Sequence, residues 1–157
     1  MTCILGLDPG VNGAVAFYFT DAPDRVAVED VPVIAGEISA HQLADLIRSH
    51  GPGMAMIERV ASMPGQGVAS SFNFGVSYGQ ARGVIGALAI PIRYVTPAKW
   101  KRHFGLSADK DEARRMAINL FPACRDHFRL VKHHGRAEAA LIARYAFETL
   151  FPASAAA

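Results

Sequence analysis

Three acidic residues stand at positions where a negative charge needs a partner. Asp8 and Glu58 each end a short apolar run, and Glu138 interrupts the apolar row of a helix predicted near the end of the chain. A carboxylate among apolar neighbours has lost water, and it is rarely buried without an opposite charge or a metal ion. The residue types and their positions therefore indicate a site that binds a cation.

Asp8 and Glu58 have a specific reason to meet. In a doubly wound or mixed α/β sheet, the ends of neighbouring strands lie side by side at the edge where ligands usually bind. Two adjacent carboxylates repel each other, and a hard divalent metal with oxygen ligands is the simplest cation that neutralises them. The alternative is an ordinary structural role, in which each acid caps a helix or pairs with an arginine. Glu58 can pair with Arg59, and Glu138 can pair with Arg136 or point to solvent.

The apolar patterning predicts the strands and helices that must carry these acids. Strands are predicted near residues 3–8, 13–19, 26–33, 54–58 and 92–95, because these runs are bounded by turn residues. Helices are predicted from a Ser39 cap to a stop at Gly51, over residues 68–89, after a Thr96-Pro97 cap, from Ser107 towards Leu120, and from about His134 to Leu150.

Length and composition limit the class of protein. The chain has 157 residues, 51% of them apolar, which suits one globular domain over residues 1–157. The first residues lack the segments of a signal peptide, and no run reaches the roughly 18 uncharged apolar residues of a membrane helix. We therefore expect a soluble cytoplasmic protein in which Cys3 and Cys124 are free thiols.

Basic residues are concentrated in the second half of the chain. Residues 1–92 contain 4 Lys or Arg against 8 Asp or Glu, and residues 93–157 contain 12 against 6. Segment 99–102, Lys-Trp-Lys-Arg, mixes basic side chains with an aromatic one near a helix start, which suits contacts to phosphate groups. A solvated charged face is the simpler alternative, but this mixture favours nucleic acid as the partner.

Glycines recur every four residues in the helix predicted over residues 68–89. They are Gly75, Gly79 and Gly83, and each costs roughly 1 kcal/mol relative to alanine in a helix. Close packing on the sheet is the first explanation for such a strip. Close approach of a second subunit or of a nucleic-acid backbone is the other.

Six segments of the chain, taken in order, carry a resemblance to a known family. They are Leu5–Gly10, Ile57–Val60, Gly79–Val84, Thr96–Lys101, Ser107–Lys110 and Gly135–Ala143. The set runs nearly end to end and resembles the Holliday-junction resolvases of the RuvC type, within the RNase H-like nuclease group, in particular their short phage-type relatives. The resemblance implies an RNase H-like α/β fold: a mixed five-stranded sheet with three antiparallel strands followed by parallel strands, and helices on both faces.

The resemblance also implies an activity. Family members are dimers that use carboxylates and magnesium or manganese to cut two symmetric strands of a four-way DNA junction. Two ions about 3.5–4 Å apart activate the attacking water and stabilise the leaving oxygen. By resemblance we expect a homodimeric, metal-dependent endonuclease that resolves four-way or branched DNA junctions by paired phosphodiester hydrolysis.

The family motifs assign metal ligands by position. Asp8 and Glu58 match the first two acids, and Glu138 takes the place of an acid on the last helix, where aspartate is common. The fourth family ligand falls on Gly135, which has no donor atom. His134 is the predicted substitute, because it is four residues from Glu138 and shares its helix face.

The remaining site residues are basic. Lys110 matches a residue that lies beside the scissile phosphate in the family, so it is expected to neutralise developing charge. The predicted DNA contacts are Lys99, Lys101, Arg102, Arg82 and Lys110. Where family enzymes often place an aromatic wedge, this chain has Ala61, Ser62 and Met63.

Two other functions are compatible with the sequence. The first is a protein that binds junctions without cutting them, because the substituted ligands no longer hold two metal ions. The second is an ATPase of the sugar-kinase or actin type, which shares an RNase H-like fold. Such enzymes need two domains of this kind, whereas 157 residues supply one.

Overall fold

A mixed five-stranded sheet forms the centre of the protein. The computed structural model describes residues 3–61 and 64–152. The strands are β1 (Cys3–Asp8), β2 (Ala14–Phe19), β3 (Val26–Asp30), β4 (Val33–Ile34), β5 (Glu37–Ile38), β6 (Met54–Glu58) and β7 (Ile92–Val95). The main sheet has the order β3-β2-β1-β6-β7, with the first three strands antiparallel and β6 and β7 parallel to β1. This confirms the predicted sheet.

Helices cover both faces of the sheet, as predicted. They are α1 (Ala40–His50), α2 (Val68–Ala87), α3 (Pro97–His103), α4 (Lys110–Leu120) and α5 (His134–Leu150), with 3₁₀ turns at Pro122–Phe128 and Val131–His133. Alternate strand residues face opposite sides. Ile4 and Met56 lie in a core with α3, α4 and α5, while Leu5 and Ile57 lie in a second core with α1 and α2.

Helix α5 lies directly on the backbone of β1. A Cβ added to Gly6 would stand 2.2 Å from the carbonyl oxygen of Ala139 and 2.8 Å from the Cβ of Ala143, so only glycine fits in this strand position. The small side chains of α5 allow the same close approach from the helix side. This contact sets the depth at which α5 delivers its side chains to the edge of the sheet.

The helix ends confirm some sequence predictions and correct others. Gly51 ends α1 in the left-handed conformation, with φ of 57°, as expected for a C-terminal glycine. Ser39 and Thr96 stand at the N-cap positions of α1 and α3, but neither side chain makes a capping hydrogen bond. The cap that forms is Asp109, whose carboxylate accepts a hydrogen bond from the backbone N–H of Asp111 at the start of α4.

The segment after β3 differs from the prediction of one long strand over residues 26–33. Strand β3 stops at Asp30, and β4 and β5 form a separate two-stranded hairpin. Pro32 has no N–H for a sheet ladder, so the strand does not continue through it. Ala35 and Gly36, with φ of 52° and 83°, make the tight turn of the hairpin.

The glycine strip of α2 does not pack on the sheet. A Cβ added to Gly75, Gly79 or Gly83 would meet no atom within 4 Å among the described residues, so these glycines lie on an open face of the helix. The first explanation given for the strip is therefore wrong. Cys3 and Cys124 are free, as expected. In the described part of the chain, no helix is both long enough and apolar enough to cross a membrane.

Candidate active site

The fold brings the three acids to one edge of the sheet. Strands β1 and β6 are parallel neighbours in register, so Asp8 and Glu58 end them at the same side, and α5 carries Glu138 to that place. Burial raises the pKa of Asp8 well above its ordinary value, and the charges of Glu138 and Glu58 raise it further. The electrostatic coupling shows that the three carboxylates share one neighbourhood.

A cavity of about 270 Å³ opens beside these acids. Asp8 and Glu138 line it together with the turn between β1 and β2, and Lys110, His134 and Phe74 complete the wall. Negative and positive side chains therefore face one small space, which suits a ligand that carries both a cation and a phosphate. A wider cavity with Lys132 and Asp30 on its wall adjoins this one and shares Lys110 and His134 with it.

Glu58 is held by a tryptophan. The indole Nε1–H of Trp100 donates a hydrogen bond of 2.6 Å to Oε2 of Glu58, and both side chains are buried, with exposed fractions of 0% and 7%. Burial raises the pKa of Glu58, the charge of Glu138 adds to this, and the Trp100 hydrogen bond and Lys101 oppose it. Trp100 thus fixes one carboxylate oxygen of Glu58.

Glu138 is held by a lysine. Its Oε1 lies 3.8 Å from Nζ of Lys101, the residue that follows Trp100 in α3, so one short helix contacts two of the acids. The alternative pairing of Glu138 with Arg136 is wrong, because Arg136 makes two hydrogen bonds to Asp30, of 2.7 and 2.8 Å. Lys101 was expected on flanking DNA phosphates, but it points instead towards the acidic site.

The other alternative pairing, of Glu58 with Arg59, is also wrong. The guanidinium of Arg59 lies over the ring of Tyr94, 5.3 Å from its centre, and Glu58 is bonded to Trp100. Neither acid therefore has the adjacent arginine as its counterion.

Lys110 and His134 form a pair at the rim of the cavity. Their side-chain nitrogens, Nζ and Nε2, are 3.4 Å apart, and Nδ1 of His134 is 3.2 Å from the carbonyl oxygen of Val131. Because a carbonyl only accepts, the proton of the imidazole belongs on Nδ1, which leaves Nε2 as an acceptor towards Lys110.

Gly135 stands at the position that the sequence resemblance assigns to the fourth ligand, and the structure leaves little room for a side chain there. A Cβ there would stand 3.0 Å from the backbone oxygen of Asn12 and 3.3 Å from Oδ2 of Asp8. The start of α5 is thus pressed against Asp8 itself. The first turn of a helix has free N–H groups and a positive dipole end, which favours a carboxylate there.

The donor set has the chemistry of a hard divalent cation site, but its present arrangement does not form one. Three carboxylates and an imidazole supply oxygen and nitrogen ligands of the kind such ions take. Among the described residues, however, no three His, Cys, Asp or Glu side chains form a group positioned to hold a metal ion. Glu58 instead accepts a hydrogen bond from Trp100, and Glu138 lies beside Lys101.

The other predicted DNA contacts do not line the acidic cavity. Lys99 and Arg102 are exposed on α3, and Arg82 is exposed on α2, which covers the opposite face of the sheet. Of the residues at the expected wedge position, Ser62 and Met63 are outside the described residues.

Sequence reasoning missed three contacts at this site. It did not assign Trp100 to Glu58, Lys101 to Glu138, or Lys132 to the neighbouring cavity. One signal was available: Trp100 is the only tryptophan, and it lies between two lysines in a short predicted helix. The residue on which its indole acts is 42 positions away in the chain. Only the folded structure reveals that contact.

Comparison with known proteins supports the fold. No protein-family model matches the chain, and no curated protein matches it in sequence. Among solved structures it is similar to Thermus thermophilus RuvC in complex with a Holliday junction substrate, with a TM-score of 0.64, 13% identity and 96% of each chain covered. Thermus thermophilus RuvC in a second structure gives a TM-score of 0.63, again with 13% identity and 96% of each chain covered.

A third similar structure is the yeast mitochondrial Holliday junction resolvase. Its TM-score is 0.54 at 15% identity, and the match covers 90% of this chain and 75% of the yeast chain. At these identities the likeness shows a shared fold. The RNase H-like architecture expected from the sequence segments is therefore confirmed.

Proposed function

We propose that this protein is a metal-dependent endonuclease of the RuvC resolvase type, which resolves four-way or branched DNA junctions by paired phosphodiester hydrolysis. The observation that carries the proposal is the convergence of Asp8, Glu58 and Glu138 at one edge of a RuvC-like sheet. Three carboxylates that repel one another destabilise the folded protein unless a cation neutralises them. The similar structures include one bound to a Holliday junction substrate, which supports branched DNA as the ligand class.

The residues of the site have distinct roles in this proposal. Asp8, Glu58 and Glu138 would hold Mg²⁺ or Mn²⁺, two ions per site, with His134 as the fourth ligand. A bound divalent cation supplies an activated water and stabilises charge on the phosphate. Lys110 lies at the cavity wall, where its ammonium group neutralises negative charge that develops on a phosphate. Nε2 of His134 lies 3.4 Å from Nζ of Lys110 and so helps to hold the lysine at that place.

The proposal is tested with a labelled four-way junction in Mg²⁺ or Mn²⁺. The wild-type protein is expected to give paired cuts, and Asp8→Asn is expected to give none while still binding the junction. Asp45→Asn is the matched control, because Asp45 is exposed on α1 and pairs with Arg48 on the same helix. Cutting by Asp8→Asn at the wild-type rate would contradict the assignment.

A second candidate is a protein that binds junctions without cutting them. The contacts of Trp100 and Lys101 with two of the acids favour it, because they leave no preformed group for a metal ion among the described residues. The same assay separates the two. Product bands in Mn²⁺ exclude the binding-only protein, and tight binding without products in any divalent metal excludes the nuclease.

We also propose that the protein acts as a homodimer through α2. Two symmetric cuts need two sites related by a two-fold axis, and the glycine face of α2 is open. Val68 and Phe72 on the same helix are 88% and 69% exposed. Sedimentation should show a dimer that Gly79→Arg converts to a monomer. A wild-type protein that is monomeric both alone and on DNA would refute this interface.

A further inference from the structure

Five side chains form a continuous row that begins at the acidic cavity and reaches the edge strand β7. Phe74, which lines the cavity, stacks on Tyr78 with ring centres 6.4 Å apart. The guanidinium of Arg82 lies 5.4 Å from the ring centre of Tyr78 and 5.4 Å from that of Tyr94. Arg59 follows on Tyr94 at 5.3 Å. We call these five residues the arginine–tyrosine row.

Three separate elements build the row. Phe74, Tyr78 and Arg82 are four residues apart and therefore lie on one face of α2. Tyr94 comes from the edge strand β7, where it is paired in register with Ile57. Arg59 is the residue after Glu58 in the chain, so the last member of the row stands next to one of the three acids at the end of β6.

In the described part of the chain, the two arginines of the row lie on aromatic rings and not on carboxylates. Arg114, Arg136 and Arg144 each bind a carboxylate, whereas among the described residues Arg59 and Arg82 make no ion pair. Both are exposed, and each guanidinium lies against a tyrosine ring. Each guanidinium therefore keeps its hydrogen-bond donors available for an anion.

The tyrosines make the arginines better phosphate ligands than free surface arginines. A guanidinium held over an aromatic ring has lost part of its conformational freedom before any ligand arrives. Less entropy is then lost when it binds a phosphate, which is the general benefit of preorganisation. Guanidinium groups also match phosphate oxygens with two parallel hydrogen bonds.

We propose that the arginine–tyrosine row binds the DNA strand that continues out of the acidic cavity. Arg82 and Arg59 contact phosphates of that strand in turn, and Phe74 contacts the sugar or base nearest the cavity. The inference rests on the proposed nuclease function and assigns a substrate path to it. Phosphate contacts carry no direct sequence information, so the row gives affinity and register.

The glycine face proposed for dimerisation remains free in this arrangement. Gly75 and Gly79 each follow a row residue by one position, and neighbouring positions of an α-helix point about 100° apart. One side of α2 is thus available to a second copy of the chain while the adjacent side faces DNA. The strand path and the dimer interface can be tested independently.

The test measures binding of a fluorescent four-way junction by anisotropy in Ca²⁺ across a range of NaCl concentrations. The double variant Arg59→Gln/Arg82→Gln should bind more weakly, and its plot of log affinity against log salt should be shallower by about 2, or about 1 per lost phosphate contact. Arg125→Gln is the matched control. Arg125 is exposed in the 3₁₀ turn beside β3, at the opposite edge of the sheet, and it should keep the wild-type slope.

Two tyrosine variants test the role of the rings. Tyr94→Phe keeps an aromatic face under both guanidiniums and should bind as the wild type does. Tyr94→Leu removes that face and should weaken binding while leaving the salt slope nearly unchanged, because both charges remain. Equal affinity of Tyr94→Leu and the wild type would show that the rings do not preorganise the arginines.

The outcomes separate this inference from the proposed function. If the wild type cuts junctions in Mn²⁺ and the double arginine variant binds with wild-type affinity and slope, the strand path is refuted and the nuclease stands. If the double variant shows weaker binding and the shallower slope while Arg125→Gln keeps the wild-type slope, the path is supported. A wild-type protein that neither binds nor cuts branched DNA refutes both.

Discussion

Substitution of Trp100 by Phe removes one donor from the centre of the acidic site. The indole N–H gives Glu58 a hydrogen bond of 2.6 Å, and the two side chains are 0% and 7% exposed, so water does not replace it. A hydrogen bond to a charged group contributes about 1.5–3 kcal/mol, and one between neutral groups about 1 kcal/mol. We expect Trp100→Phe to lower the free energy of unfolding by about 2 kcal/mol where Glu58 is ionised.

The sign of the pH dependence follows from the pKa of Glu58. Burial raises that pKa in the folded state, so folding favours the protonated acid. Stability is therefore lost as the pH rises from 4.5, the pKa of Glu58 in the unfolded chain, through its higher pKa in the folded protein. The Trp100 hydrogen bond lowers the pKa, and its removal makes the loss larger. The cost of Trp100→Phe should therefore be about 1 kcal/mol greater at pH 8 than at pH 5.

The assay is urea unfolding in EDTA at both pH values, followed by circular dichroism because Trp100 is the only tryptophan. In a protein of this size, 2 kcal/mol corresponds to a fall in Tm of about 4–8 °C. The cavity left by the smaller ring contributes equally at both pH values. Glu58→Gln is the control background, since in it the cost of Trp100→Phe should not change with pH.

The result that would refute this reasoning is specific. If Trp100→Phe costs the same free energy at pH 5 and pH 8 in the protein with Glu58, the tryptophan acts only as a packing residue. The hydrogen bond would then not restrain the carboxylate, and Trp100 would have no part in orienting it.

Three further predictions concern other residues. Asp8→Asn should raise Tm in EDTA at pH 8 and not at pH 4. The pKa of Asp8 is raised in the folded state, so its ionised form opposes folding. Equal Tm shifts at pH 4 and pH 8 would contradict this. Gly6→Ala should lower the free energy of unfolding by about 3 kcal/mol or more in urea, since its Cβ would meet the oxygen of Ala139 at 2.2 Å. Ala89→Gly should raise it by about 0.5–1 kcal/mol, because Ala89 has φ of 56°; lower stability would show that the strain is absent.

Most strands and helices could be predicted from the sequence because their signals are local. Apolar runs that end in an acid predicted β1 and β6 within a residue, and the last helix was predicted from His134 to Leu150 as observed. The strand predicted through Pro32 was wrong at the proline, where the missing N–H ends the ladder. The predicted side-chain caps at Ser39 and Thr96 did not form, since cap geometry depends on where the chain enters the helix.

By itself the sequence determined which residues needed a partner. A carboxylate among apolar neighbours is costly without a partner, so the apolar sequence context and the charge of Asp8, Glu58 and Glu138 were enough to single them out. The order of segments around them also indicated the RuvC-like sheet.

Only the tertiary structure decided which side chains compensate those charges. The sequence positions of Trp100 and Lys101 contain no information about Glu58 and Glu138, because the contacts form when α3 packs at the end of β6 and beside α5. The arginine–tyrosine row likewise joins α2, β7 and the end of β6, which are adjacent only in the folded sheet. Electrostatic compensation acts over a few ångströms in space, so residues far apart in the chain can provide it.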